Sequence, residues 1–250
     1  MQKPTLRDKS ILVGLYLAKF DDIGLQSLGF ASFTEAFNVI GFALGVAPRS
    51  IKNYRDEFDP LFPNKRRGWH KRQTREYCKN IYDAFQTLDL VEFTSMIKNL
   101  VYKNYDLDLL TEEVEKVGSE NDSTFAKRLI TGQAAEQYFR DCFDEIDLFL
   151  GRKLYDTTKF GCGFDFKLVR EQDNEYFGVE VKGLTEKSGR ISLTNKEFEV
   201  ARILEDRYFL FVVKNFRENP FHQVHRNPVK ALDFSKTEQR ITQVFWSTSL

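Results

Sequence analysis

A helical N-terminal region followed by a mixed α+β core, in which helices flank a mixed sheet, is the fold class this sequence predicts. Three observations predict it. Apolar residues recur at helical spacing through the first hundred positions. A polar, glycine-containing stretch at 118–123 interrupts that pattern. Beyond it come short, glycine-flanked apolar runs of strand length, with one well-capped helix between the last two.

In order, Ile11, Leu12, Leu15 and Leu17 mark a helix over 7–19, and Phe33, Phe37, Ile40 and Leu44 mark a second over 33–44. Pro48 suits a first helical turn, so a third helix opens there, runs through Ile51 and Tyr54 toward Phe58, and is ended by Pro60 and Pro63. Further helices are expected over 71–88, 90–103 and 109–117. A soft boundary at 118–123 divides the chain into residues 1–120 and 121–250. The second part opens with a helix from Thr124 or Gly132 to Cys142, followed by strands over 163–169, 176–182 and 208–213. Between the last two strands, 194–204 has helical spacing, with Thr194 as N-cap and Glu197 as its capping-box partner.

Composition narrows the function classes. The 250 residues suffice for one large domain or two small ones, and no apolar run approaches the roughly 20 residues of a membrane span. The polar start lacks the plan of a signal peptide, so a cytoplasmic protein without a membrane partner is expected. Cys78, Cys142 and Cys162 are too scattered for a zinc site or a disulfide framework. With 37 basic and 37 acidic residues the chain does not coat nucleic acid by bulk attraction. The segment 49–79, however, is net positive by six.

Asp165 stands in Gly-Cys-Gly-Phe-Asp-Phe, and Glu180 and Lys182 stand in Gly-Val-Glu-Val-Lys on the next strand. Strand side chains alternate, so Glu180 and Lys182 share a face while Val179 and Val181 share the other. If the two strands pair as a hairpin, Asp165 lies opposite them. Two carboxylates and an ammonium suit phosphodiester hydrolysis: the carboxylates hold a hard divalent cation, and the cationic side chain orients or stabilises the attacking hydroxide. Glu-Val-Lys alone is equally the outer face of a surface hairpin. Adding a glycine-bracketed aspartate makes the combination rarer.

The stretch 161–213, with Gly-Phe-Asp-Phe, Glu-Val-Lys-Gly, Leu-Thr-Asn-Lys-Glu-Phe and Tyr-Phe-Leu-Phe-Val-Val, resembles the C-terminal domain of the plant protein NO VEIN and its bacterial relatives. That group is similar to the restriction-endonuclease-like PD-(D/E)XK nucleases. The resemblance implies a restriction-endonuclease-like core in which Asp165 and Glu180 hold Mg2+ and Lys182 is the basic catalytic position. Phe164 stands where the name-giving motif has proline. It also draws in Glu136, within Gly-Gln-Ala-Ala-Glu on the helix before the strands, as an acidic residue facing the metal. Asn195 and Glu197 occupy a stretch where relatives carry polar residues toward phosphates, although helix capping explains them as well. The function implied is a magnesium-dependent DNA endonuclease, such as a type II restriction enzyme or related defence nuclease, dimeric if it cuts both strands. The alternatives are a non-catalytic DNA-binding regulator or adaptor on the same fold, and a nuclease for RNA or branched DNA.

In the N-terminal part, Phe-Ala-Leu-Gly-Val-Ala-Pro-Arg-Ser-Ile-Lys-Asn-Tyr-Arg resembles a helix-turn-helix. Arg49, Ser50, Lys52, Asn53 and Arg55 fall on its second helix, where they would meet double-stranded DNA in the major groove. The run around Trp69, with Arg66, Arg67 and Lys71, would extend the phosphate-contacting surface. His222 and His225 lack further ligand partners, Cys162 lacks an adjacent base, and the 24 phenylalanines are expected in the core.

Overall fold

The computed structural model describes residues 4–66, 72–101, 122–170, 175–237 and 248, and for 122–126 the backbone alone. Helix α1 (Leu6–Ser27) begins at a capping box in which the Thr5 hydroxyl accepts from Asp8 N and the Asp8 carboxylate accepts from Thr5 N. It runs past the expected end at residue 19, across a kink at Asp21 where φ is +47°. Helix α2 (Phe33–Leu44) is capped by Ser32 and stops at Gly45, whose φ of +70° is left-handed. Three residues later α3 (Pro48–Phe58) starts at the proline. Two glycines permit this packing. A Cβ on Gly41 would lie 2.9 Å from Pro48 Cα, and one on Gly14 would lie 2.8 Å from the Arg55 backbone nitrogen.

Helices α4 (Glu76–Phe85) and α5 (Leu90–Val101) complete the described N-terminal part. Helix α4 starts later than residue 71 because the approach to it is tied down in extended form: the Glu57 carboxylate accepts from Arg75 N at 2.8 Å and pairs with the Arg72 and Arg75 guanidiniums. Helix α5 is joined to α1 where the Tyr16 hydroxyl meets Thr94 Oγ1 at 2.6 Å and donates to Gly24 O. The helix expected at 109–117 and most of the expected boundary lie outside the described residues.

Helix α6 (Asp122–Cys142) connects the two parts. One side meets α2, with Phe42 and Tyr138 rings 5.3 Å apart; another meets the sheet, where Phe139 packs on Phe166 at 5.0 Å and Phe211 at 4.8 Å. Buried side chains consequently run without interruption from Ile11 in α1 to Phe216. Most of the largest fully buried side chains are phenylalanines, as their abundance predicts.

The sheet contains β1 (Lys153–Asp156), β2 (Phe166–Val169), β3 (Tyr176–Gly183), β4 (Tyr208–Lys214) and β5 (Phe221–Arg226), in that spatial order. Its first three strands form an antiparallel meander. Helix α7 (Asn195–Leu204) then crosses over so that β4 runs parallel to β3, and β5 returns antiparallel before the short α8 (Pro228–Ala231). This is the mixed sheet with flanking helices that the sequence predicts. Strands β1 and β5 were not expected. Both are sheet edges whose residues are largely exposed or only partly buried, so neither has the apolar run that marks β4. Phe166, Leu168, Val179, Val181, Phe209 and Phe211 belong to the main core on the α6 side. A smaller cluster of Phe164, Ala201, Leu204 and Tyr208 lies under α7 on the opposite side. Among the described residues no helix is long and apolar enough to cross a membrane.

Candidate active site

Asp165 does not lie within a strand, as expected, but one residue before β2. The cause is the loop from β1. Gly163 has a φ of +84°, and a Cβ there would meet Val200 Cγ2 on α7 at 2.7 Å, so only glycine lets the chain pass this close. The Tyr208 hydroxyl donates to Gly163 O at 3.0 Å, and Thr157 donates through N and Oγ1 to Asp165 O at 2.8 and 3.0 Å. Asp165 N then donates to Val179 O at 3.0 Å, and Asp165 Oδ2 accepts from Val181 N at 2.8 Å. Since Phe166 pairs with Val179, one further antiparallel step sets Asp165 opposite Glu180.

Glu180 and Lys182 share the α7 face of β3, as alternation predicts. Lys182 Nζ lies 2.5 Å from Glu180 Oε1 and 3.1 Å from Glu197 Oε2. The same Glu197 oxygen accepts from Thr194 N at 2.9 Å, so one carboxylate both caps α7 and steadies the lysine. Helix capping is the signal the sequence offered for Glu197. The link to Lys182 depends on the crossover and is not visible in local spacing.

Glu136 sits on α6, on the other side of the sheet. Its neighbour Arg140 lies 3.3 Å from Glu136 Oε2 and 2.8 Å from Asp156 Oδ2 on β1. Arg140 and Asp156 were missed by sequence reasoning. The i,i+4 spacing of Glu136 and Arg140 was a readable signal, whereas Asp156 belongs to an unexpected strand. Asp165 stands where the two layers meet, in the field of Lys182 and Glu197 from one side and Arg140 from the other.

Electrostatics follow from burial. Glu180 is only 3% exposed, and burial followed by the charge of Asp165 raises its carboxyl above the ordinary range. Burial raises Asp165 in the same direction, opposed in part by the hydrogen bond from Val181 N. Glu136 is pushed up to about 7, by burial first and then by the charge of Asp165. Burial works against the charge of Lys182, but Glu180 and Glu197 overcome it and hold the ammonium protonated. Three acids that resist ionising together form a place where added positive charge is stabilised.

The donor chemistry fits a magnesium ion. Asp165 and Glu180 offer hard carboxylate oxygens, and magnesium is commonly held by one or two carboxylates with substrate phosphate oxygens and water. Among the described residues no three His, Cys, Asp or Glu side chains gather in metal-holding geometry. Asp165 and Glu180 are thus the two carboxylates that could hold an ion, with Glu136 approaching from the far layer. His222 is engaged otherwise, with its ring stacked on Phe211 at 4.7 Å, and the three cysteines are free.

A family model described as Protein NO VEIN, C-terminal, matches residues 135–226. The matched segment contains Glu136, Asp165, Glu180 and Lys182 and spans all five strands. No curated protein and no solved structure matches the chain.

The residues expected to contact DNA separate into groups. Arg49, Lys52 and Asn53 are exposed on α3, whose Ile51 is buried, while Ser50 is partly buried near the turn. Lys52 pairs with Asp56 at 2.9 Å. Arg55 is instead turned inward: it is 8% exposed, lies 2.5 Å from Asp56 Oδ1 and 3.8 Å from Asp59 Oδ2, and stacks over the rings of Phe33 and Phe37. Arg66 pairs with Asp59 and Asp21. Arg55 and Arg66 therefore anchor helices to one another and are not displayed on the α3 outer face. Arg67 and Lys71 lie outside the described residues.

Proposed function

We propose that this protein is a magnesium-dependent DNA endonuclease of the PD-(D/E)XK type, of the restriction or defence class. The observation that carries this reading is the convergence of Asp165, Glu180 and Lys182 at one partly buried point between β2, β3 and α7. Asp165 and Glu180 would hold the ion, which when bound supplies Lewis-acid polarisation of the scissile phosphate and lowers the pKa of water. The chain's own groups do the rest. Lys182, kept cationic by Glu180 and Glu197, orients the attacking hydroxide and balances charge growing on the phosphate. Val181 N holds one Asp165 oxygen and so fixes the direction of the other.

Target selection falls to the α2–α3 pair, read as a helix-turn-helix with Arg49 and Asn53 toward base edges and Lys52 toward phosphates. Cutting both strands would use a homodimer, since one centre serves one strand. The test is incubation of the full chain with supercoiled, linear and single-stranded DNA, with magnesium or with a chelator. Cleavage that needs magnesium is expected. Intact substrates under conditions where the protein binds them would overturn the reading.

That no three His, Cys, Asp or Glu side chains gather in metal-holding geometry among the described residues, with Glu180 already paired with Lys182, favours a second reading: a DNA-binding adaptor that keeps the fold without turnover. Calorimetric titration with magnesium separates the two. A catalytic centre binds the ion, and Asp165→Ala loses that binding; an adaptor gives no heat of binding in either protein.

A further inference from the structure

We infer that the sheet face beside α7 is the track for a single unpaired DNA strand leaving the candidate active site, an inference that rests on the nuclease reading. Helix α7 packs on β3 and β4 through Leu204 and Ala201, whereas among the described residues β1 is mostly exposed and the outward residues of β2 are partly buried. Leu154, Phe166 and Leu168 point into the core on the α6 side, so alternation turns Lys153, Tyr155 and Lys167 outward on the face that carries Glu180 and Lys182. Tyr155 pairs directly with Lys167 across the strands, and Lys153 Nζ lies 5.4 Å from the Tyr155 ring. Next along the chain, Phe160 is 76% exposed, an unusual state for a large aromatic side chain. Its position is fixed: Phe160 N donates to Thr157 O at 2.9 Å, and Thr157 is the residue that holds Asp165 O. Lys159 adjoins it, and Lys196 Nζ reaches the backbone of the next residue, lying 3.8 Å from where a Gly161 Cβ would stand.

Charge complementarity identifies the occupant. Among the described residues Lys153, Lys159, Lys167 and Lys196 make no ion pair with a carboxylate. In the basic N-terminal segment, by contrast, Lys52, Arg55, Arg66, Arg72 and Arg75 all face one. Unpaired ammonium groups interleaved with exposed aromatic rings match a backbone of phosphates carrying accessible bases. A duplex hides its base faces and has no use for Tyr155 and Phe160. An unpaired strand offers a base to each ring while its phosphates follow the lysines toward Asp165.

The experiment is fluorescence anisotropy in chelator, without turnover, on four labelled probes: a blunt duplex, the same duplex with a single-stranded tail, the tail alone, and the tail with abasic sites. Wild type should bind the tail more tightly than its abasic counterpart, because phosphates are equal and only stacking differs. Phe160→Ala and Tyr155→Ala should each weaken the tail and tailed duplex by roughly 5- to 100-fold, leaving the blunt duplex unchanged. Lys153→Ala with Lys167→Ala should shallow the salt dependence by about two phosphate contacts. Equal affinity for intact and abasic tails, or equal weakening of blunt and tailed duplex in the aromatic variants, would overturn the inference. The abasic comparison needs no variant, so misfolding cannot mimic it. Because no cleavage is read, the strand track and the nuclease assignment fail separately.

Discussion

At the scale of single residues, the site is governed by burying acids beside one another. Glu136 makes the consequence measurable in metal-free protein. Its carboxyl moves from 4.5 to about 7 on folding, so the fold binds that proton more tightly than the unfolded chain does. The stability it contributes is complete below about 4.5 and is lost as pH rises through about 7. Thermal unfolding in chelator should therefore show Glu136→Gln gaining on the wild type as pH rises across that window, with the difference vanishing in acid; parallel curves would contradict the assignment. Glu197 offers a second test. Glutamine at 197 still closes a capping box but carries no charge for Lys182, so Glu197→Gln should change stability by less than about 1 kcal/mol while slowing cleavage. Glu197→Ala should also remove the cap interaction, for roughly 0.5–2 kcal/mol. A melting point and a cleavage rate for each variant separate the two roles.

At the scale of elements, Gly163 and α3 decide what each part can do. Gly163→Ala meets both a left-handed backbone and the Val200 side chain, and it should destabilise by about 1–3 kcal/mol and slow cleavage by displacing Asp165. Normal stability by denaturant titration would show that the loop relaxes freely. On α3, the inward Arg55 and outward Asn53 predict opposite phenotypes. Arg55→Ala removes the guanidinium packed on Phe33 and Phe37 and paired with Asp56, while Asp59 keeps Arg66, and it should cost roughly 0.5–3 kcal/mol of stability. Asn53→Ala should leave stability within about 0.5 kcal/mol and lower the preference for a cognate sequence, read by binding over a randomised duplex library. Unchanged preference in Arg49→Ala and Asn53→Ala would place selection elsewhere. These elements also show what the sequence made legible. Strands β3 and β4, the α7 capping box and the shared face of Glu180 and Lys182 follow from period-two alternation and local spacing. Strands β1 and β5 do not, because edge strands with one half-buried side carry no apolar run. Arg55 was misjudged for a related reason: a charge count cannot tell an arginine facing solvent from one lying on Phe33 beside Asp59. Convergence of Asp165 with Glu180 was legible as a possibility, but its position outside the strand depends on the Tyr208 to Gly163 contact, 45 residues apart.

At the scale of the whole molecule, α6 ties the helical part to the sheet: it packs on α2 through Tyr138 and on β4 through Phe139, and it carries Glu136. The helix pair proposed to read a duplex and the centre proposed for phosphodiester chemistry are thus held on one continuous core. Binding and cutting should be separable by mutation, since Arg49 and Asn53 are remote in role from Asp165 and Glu180. The most direct test of the central claim is magnesium-dependent DNA cleavage by wild type, Asp165→Ala, Glu180→Gln and Lys182→Ala, with DNA binding measured on the same samples. Cleavage by wild type alone or nearly so is expected, with DNA binding retained in all three variants. Undiminished cleavage by Glu180→Gln, or loss of binding together with cleavage in correctly folded Asp165→Ala and Glu180→Gln, would contradict it.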